Sequence, residues 1–203
     1  MFYAENPESR LRFGDIIKGY VGITPVINSL NADFRNSDFN IEISYPNFFV
    51  VLSPCCSIEK SLLMIAPLEQ VIGTFFRNPY FEKDLTVINK KMNAEQSIIP
   101  AIWGTLPPEE KERRLSEGAQ FAFAELFVYE KNDLLPAYTI HMKDVTNIET
   151  NYYMVDFRKT FSVKCDLIAK NVEFALKYLQ LSVKSRNDLR NKIGGFESVK
   201  LTV

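Results

Sequence analysis

The chain has 203 residues, with 24 Lys/Arg against 25 Asp/Glu and a formal net charge of -1. Hydrophobic residues make up 46% and charged residues 24%, which is the composition of a folded globular protein and not of a disordered one. A single histidine, His141, excludes a multi-histidine zinc site, and 203 residues allow one domain with extensions or two small ones.

No run of about 18 apolar residues occurs, so no membrane span is expected. Met1 to Arg12 carries Glu5, Glu8, Arg10 and Arg12 and lacks the apolar core of a secretion signal, so a cytoplasmic location is expected. Three cysteines, Cys55, Cys56 and Cys165, do not make a disulfide framework. Residues 164–203 hold eight Lys/Arg and four Asp/Glu, leaving an excess of negative charge on 1–163. That C-terminal excess is what a solvated helix face carries and falls short of a strong nucleic-acid footprint.

In chain order, Ile16-Ile17-Lys18-Gly19-Tyr20-Val21 reads as a strand. Ile23 to Asp38, rich in Asn, Asp and Ser, reads as a long loop. Ile41-Glu42-Ile43-Ser44-Tyr45 alternates as a half-buried strand does, and Phe48 to Leu52 runs apolar as a fully buried one does. Ser53 to Ser57, with its adjacent cysteines, reads as a break, and Leu62 to Ala66 as a buried strand stopped by Pro67. Val71 to Phe76 is compatible with a short helix ended at Asn78-Pro79.

Leu106-Pro107-Pro108 opens a helix with Glu109 and Glu110 in its first turn and Arg113 and Arg114 near its end, an order that complements the helix dipole. Phe121 to Tyr129, Thr139 to Met142 and Tyr152 to Phe157 read as strands, the last extended by Phe161 to Val163. Val172 to Leu179 has helical spacing. A second helix is expected from Ser185 as cap, through Leu189 and Ile193, to an end at Gly194-Gly195. Strands followed by helices predict an α+β, mainly β fold.

Chemistry-bearing residues are few. A Cys55 or Cys56 nucleophile would need a base, and His141 is the one imidazole; the plainer reading is small apolar residues at a tight turn. The sequence has no phosphate-binding glycine motif, no nucleophile elbow and no carboxylate pair placed for two-metal chemistry. No metal site and no cofactor is expected. The 16 Phe and 9 Tyr are not interleaved with Lys and Arg, so core or protein interface is preferred to a base-stacking platform.

Gly14-Asp15-Ile16, then Val50-Val51-Leu52-Ser53, then Ile65-Ala66-Pro67-Leu68 form an ordered series. It resembles the MazF/PemK-like toxins over about residues 13–68. The resemblance implies a small Src-homology-3-like barrel: residues 1–163 as a barrel with an inserted segment at about 69–118, and 164–203 as a C-terminal helical extension. It also implies metal-independent cleavage of single-stranded RNA, by an Arg before the Val-Val-Leu-Ser strand and a hydroxyl after Ala-Pro-Ile.

This sequence has Tyr45-Pro46-Asn47 in the first place and Glu69 in the second. Neither Tyr nor Asn supplies a guanidinium's charge to a developing phosphorane, and a carboxylate repels a phosphate. The expectation is a barrel that holds a protein partner in the old groove, with Tyr45, Asn47, Cys55, Ser57 and Glu69 as contacts and no catalytic residue. A bacterial regulator or a defence or toxin-antitoxin component fits that reading, and a homodimer is compatible with it. The alternative is an endoribonuclease with relocated groups, such as Arg35, Arg77 or His141. A third reading is a thiol enzyme using Cys55 or Cys56.

Overall fold

The computed structural model describes residues 1–18, 22–59, 62–77, 81, 84–90, 97–98, 102, 105–116, 120–121, 123–142, 147–164 and 176–200. The fold is α+β and mainly β. The chain divides into two compact units, one made of residues 5–68 and 159–180, the other of 1–4, 69–158 and 181–203. Each unit draws on chain from both sides of residue 164.

The 5–68/159–180 unit is built on antiparallel strands. Strand β1 (Ile16–Lys18) is followed by β2 (Gly22–Ser29), β3 (Asp38–Ser44), β4 (Phe48–Val51), the short helix α1 (Cys55–Glu59) and β5 (Leu62–Gln70), which runs on to residues 69 and 70 of the other unit. In the other unit come β6 (Ser97–Ile98), α2 (Pro108–Ser116), β7 (Gln120–Phe121), β8 (Leu126–Tyr129), β9 (Tyr138–Ile140), β10 (Ile148–Thr150) and β11 (Tyr153–Asp156). The chain then adds β12 (Phe161–Lys164) and β13 (Leu176–Leu179) to the first unit before helix α3 (Val183–Lys200).

In the first unit β1 pairs β4 on one side and β13 on the other, β4 pairs β5, and β12 also pairs β5. Leu11, Ile17, Phe49, Val51, Ile58, Leu63 and Ile65 form its core, with Phe161 set edge-on to Phe49 at 5.9 Å between centroids. The continuous apolar run Phe48-Phe49-Val50-Val51 is buried throughout, as such a run requires.

The Gly14-Asp15-Ile16 series has a structural job here. Gly14 adopts φ 85°, a left-handed conformation that costs other residues about 1–2 kcal/mol, and its N–H donates to Val51 O at 2.6 Å. Val51 N–H in turn donates to Asp15 O at 2.9 Å. The fully buried Asp15 carboxylate pairs with the Lys177 ammonium of β13 at 2.9 Å and accepts from Arg12 N at 2.7 Å. Lys177 also donates to Arg10 O and to Gln180 Oε1. A buried charge needs such a set of partners to be tolerated.

The second unit has β8 and β11 paired antiparallel, all eight residues buried, over a core of Val71, Phe75, Phe81, Leu85, Ile88, Phe123, Leu126, Val128 and Met154. Phe75, Phe81 and Phe123 meet edge to face at 5.0 to 5.9 Å, the preferred arrangement for ring quadrupoles. These aromatics are core, as their lack of interleaved basic residues suggests. Helix α3 places Phe196 against Phe157 at 5.8 Å and buries Lys192, whose ammonium donates to Ile88 O at 2.6 Å.

Several local expectations are corrected. Ile23 to Asp38 is not a long loop: Gly22–Ser29 and Asp38–Ser44 form a hairpin, because Ile-Thr-Pro-Val-Ile precedes the polar tract and only that tract turns. Asx turns at Asn31 and Asp33 make the turn itself. The strand at 41–45 is exposed along its length, not half-buried. Pro67 does not stop β5, which runs on through it to Gln70 with Pro67 opposite Phe49 of β4.

Residues 176–179 of the expected helix at 172–179 are a strand, and 172–175 lie outside the described residues. Among the described residues the run 121–129 is broken, with strands at 120–121 and 126–129 and a turn at 124–125 between them. A turn at Phe157–Lys159 separates β11 from β12, so 161–163 does not extend the same strand. Ser182, not Ser185, caps α3, its hydroxyl accepting from Ser185 N, and the helix runs through Gly194-Gly195 to Lys200. Tertiary packing of the helix on Phe157 and Ile88 overrides the glycine cost. The helix opened by the Pro107-Pro108 pair forms as expected, with Glu110 bonded to both Arg113 and Arg114 and its carboxyl lowered to about 2.

Candidate functional site

The β2–β3 hairpin and its flanks carry several large exposed apolar side chains in one stretch; others among the described residues, such as Leu62, Ile72, Ile102, Leu134 and Val183, are scattered along the chain. Among the described residues, the two strands pair with one another and with no third strand. Their register sets Ile27 opposite Phe39, Pro25 opposite Ile41 and Ile23 opposite Ile43. Because side chains alternate across a strand, Ile27, Phe39, Ile41 and Ile43 share one face, and the row Phe39, Ile41, Ile43 continues to Tyr45 just past the strand end. Thr24, Val26, Asn40, Glu42 and Ser44 lie on the opposite face, with Val26 half-buried there. A Cβ at Gly22 would run into the Ser44 hydroxyl, which places that pair together on the polar side.

Ile27, Leu30, Phe39, Ile41, Ile43 and Tyr45 are each 56–76% exposed. An isolated two-stranded ribbon is marginal in water, and one with a bare Ile/Phe face is an interaction site or an aggregation hazard.

The residues expected to line a groove fall on three elements. Tyr45 and Asn47 are exposed in the loop between β3 and β4. Ser57 is half-buried in α1 with its N–H on Pro54 O; Cys55 opens that helix, and its side chain lies outside what is described. Glu69 is half-buried in β5, in the other unit. Of the five, Tyr45 joins the exposed apolar row. Ile41, Ile43 and Tyr45 alternate in the sequence as a half-buried strand does, and the structure leaves them exposed instead; Ile27 falls in the 23–38 tract whose Asn, Asp and Ser content reads as loop.

The groups considered for relocated cleavage lie on three different elements. Arg35 is exposed in the hairpin turn. Arg77 ends the turn at Gly73–Arg77, and its side chain lies outside the described residues. His141 is exposed just after β9, its Nδ1 3.2 Å from Asn147 Oδ1. Cys56 is an exposed free thiol on α1, not the buried small residue expected at a tight turn, and Cys165 lies outside the described residues. Among the described residues, no group of three or more His, Cys, Asp or Glu is placed to hold a metal ion. No described helix is long and apolar enough to cross a membrane.

The chain matches no protein-family model, no curated protein and no solved structure.

Proposed function

We propose that this chain is a protein-docking module, built on a degenerate MazF/PemK-like barrel, that serves as a bacterial regulator or a defence or toxin-antitoxin component. The observation that carries the docking reading is the solvent-facing apolar row of the β2–β3 hairpin, ending in Tyr45. Two facts support the barrel reading. The motif series at residues 13–68 falls within one compact unit, and its Gly14, Asp15 and Val51 knit β1 to β4. Tyr45 and Asn47 stand where that family has a cationic cleavage group, and Glu69 where it has a hydroxyl, a set that favours contact over phosphate chemistry.

The test has two arms on purified protein and its own cells. A photo-crosslinking amino acid at Ile43 is expected to give a protein adduct that disappears when Phe39→Asp is added, while the same group on the exposed face of α2 at Glu112 gives none. Incubation of long, mixed-sequence single-stranded RNA in EDTA is expected to leave it intact. Cleavage that survives repurification and is lost in Arg35→Ala or His141→Ala would overturn the proposal in favour of an endoribonuclease.

A further inference from the structure

We propose that the short turn Leu85–Asn89 is a lock on the free edge of β8 and that α3 holds it closed, so that displacing α3 opens the edge. All the groups involved lie in one compact unit, and the inference is independent of the hairpin face.

The edge comes first. Among the described residues β8 pairs with β11 and with no other strand. In an antiparallel pair, successive residues alternate in the side to which their N–H and C=O point. Phe157 N donates to Glu125 O, so the main-chain groups of Glu125, Phe127 and Tyr129 turn toward β11 and those of Leu126, Val128 and Glu130 turn away from it. Such a row is a template for another chain unless it is covered.

Here each outward residue is engaged by a group that is not a strand. Leu126 N donates to Phe123 O at 3.3 Å, and Glu130 O accepts from the Tyr3 hydroxyl at 2.6 Å. Val128, between them, is fully buried, and one side chain takes both of its main-chain groups. Asn89 Oδ1 accepts from Val128 N at 2.7 Å, and Asn89 Nδ2 donates to Val128 O at 2.6 Å. A carboxamide carries the donor and the acceptor of a peptide group, so Asn89 stands in for one residue of a neighbouring strand.

The turn is gripped from its other side by α3. Ile88 is buried, and its carbonyl accepts from the Lys192 ammonium at 2.6 Å. The turn's own main-chain bonds are long, Val87 N to Asp84 O at 3.4 Å and Lys90 N to Val87 O at 3.2 Å, in keeping with the poorer geometry of a 3-10 turn. Leu85 and Ile88 seat it in the core, and Asn89 and Lys192 fix it between strand and helix. Coupling between two elements needs a third whose two arrangements both of them bias. The turn is that element, closed with Asn89 on Val128 and open without it.

Amide hydrogen exchange on the whole chain, read residue by residue by NMR, tests the lock. In the wild type, Val128 N–H is expected to be at least about tenfold less protected than the N–H groups of Phe127 and Tyr129, because the edge opens locally while the pairing with β11 holds. Asn89→Leu is expected to lower Val128 protection by at least a further factor of about ten, with Phe127 and Tyr129 changed by less than about threefold. Lys192→Met, on a helix that does not pair with β8, is expected to lower Val128 protection by at least about threefold. Lys184→Met, an exposed position on the same helix, is expected to leave it unchanged. In the double variant of Asn89→Leu and Lys192→Met, Val128 should match Asn89→Leu alone, since a cut path transmits nothing.

Wild-type Val128 protected as strongly as Phe127 and Tyr129 would mean that the edge does not open by itself and overturns the lock, whether or not Asn89→Leu folds. A uniform loss at all three amides in Asn89→Leu marks Asn89 as merely structural and overturns it too. Additive effects in the double variant, or a Lys184→Met effect equal to that of Lys192→Met, overturn the grip by α3.

Discussion

Removing one charge of the Asp15–Lys177 pair leaves the other buried and uncompensated, which costs about 3–5 kcal/mol. Lys177→Met is therefore expected to lower the urea midpoint sharply, and Asp15→Asn to do the same, with the double variant recovering part of the loss. A double-mutant cycle measures that coupling directly. Gly14→Ala should cost about 1–2 kcal/mol, because its φ of 85° disfavours a Cβ whatever the room around it. Lys192 gives a pH signature. Burial lowers its ammonium to about 8 from the ordinary 10.5. Between those two values the unfolded chain binds more protons than the folded one, so stability rises as pH climbs through that window. The gain is on the order of 3 kcal/mol, and Lys192→Met should flatten it. Chemical denaturation at pH 7.5, 9 and 10.5 reads the difference; a wild-type curve that is already flat refutes the assignment.

At the scale of elements, α3 carries two helix-interior glycines with no neighbour within 4 Å of the Cβ either would gain. Gly195→Ala is expected to stabilise by about 0.5–1 kcal/mol, measured as a rise in Tm, since it removes a propensity cost and disturbs nothing. Ser182→Ala should cost about 1 kcal/mol by removing the cap hydroxyl from Ser185 N. The sequence was legible where one period dominated. Phe48-Phe49-Val50-Val51 could only be a buried strand, and the Pro/Glu-to-Arg order at 107–114 could only be a helix. It was opaque where a short run fits two periods. Leu176-Lys177-Tyr178-Leu179 satisfies helix and strand alike, and only its pairing with Ile16 to Lys18 and the Asp15 charge decide between them. Of the candidate site, Tyr45 was legible from its residue type and place. The alternation of Ile41, Ile43 and Tyr45 was legible too, but a period of two does not say whether the apolar face is covered; Ile27 was hidden because Asn and Asp at 28–38 dominate its window, and composition does not say which part of a polar tract turns.

For the whole molecule, the two units are interleaved along the chain and not strung in series. A fragment ending at residue 163 lacks β13, hence one of the two partners of β1 and the cation of Asp15. Such a fragment is expected to be less soluble than the full chain and to unfold at lower denaturant, because an unpaired strand edge invites association. Soluble expression and urea midpoint of residues 1–163 check this. A fragment as stable as the full chain would show that β13 contributes little to its unit.

The same pairing has a consequence during synthesis. β1 leaves the ribosome early, whereas β13, which pairs with Ile16 to Lys18 through Leu176 to Leu179, follows only after most of the chain has been translated. At about 5–20 residues per second, that interval is roughly 10–30 s in which the Asp15 carboxylate has no ammonium and one edge of β1 is open. A chaperone or a fast-forming partial sheet has to guard that edge in the meantime, so slowing translation after residue 164 should raise aggregation of the nascent chain more than slowing it before β1 appears.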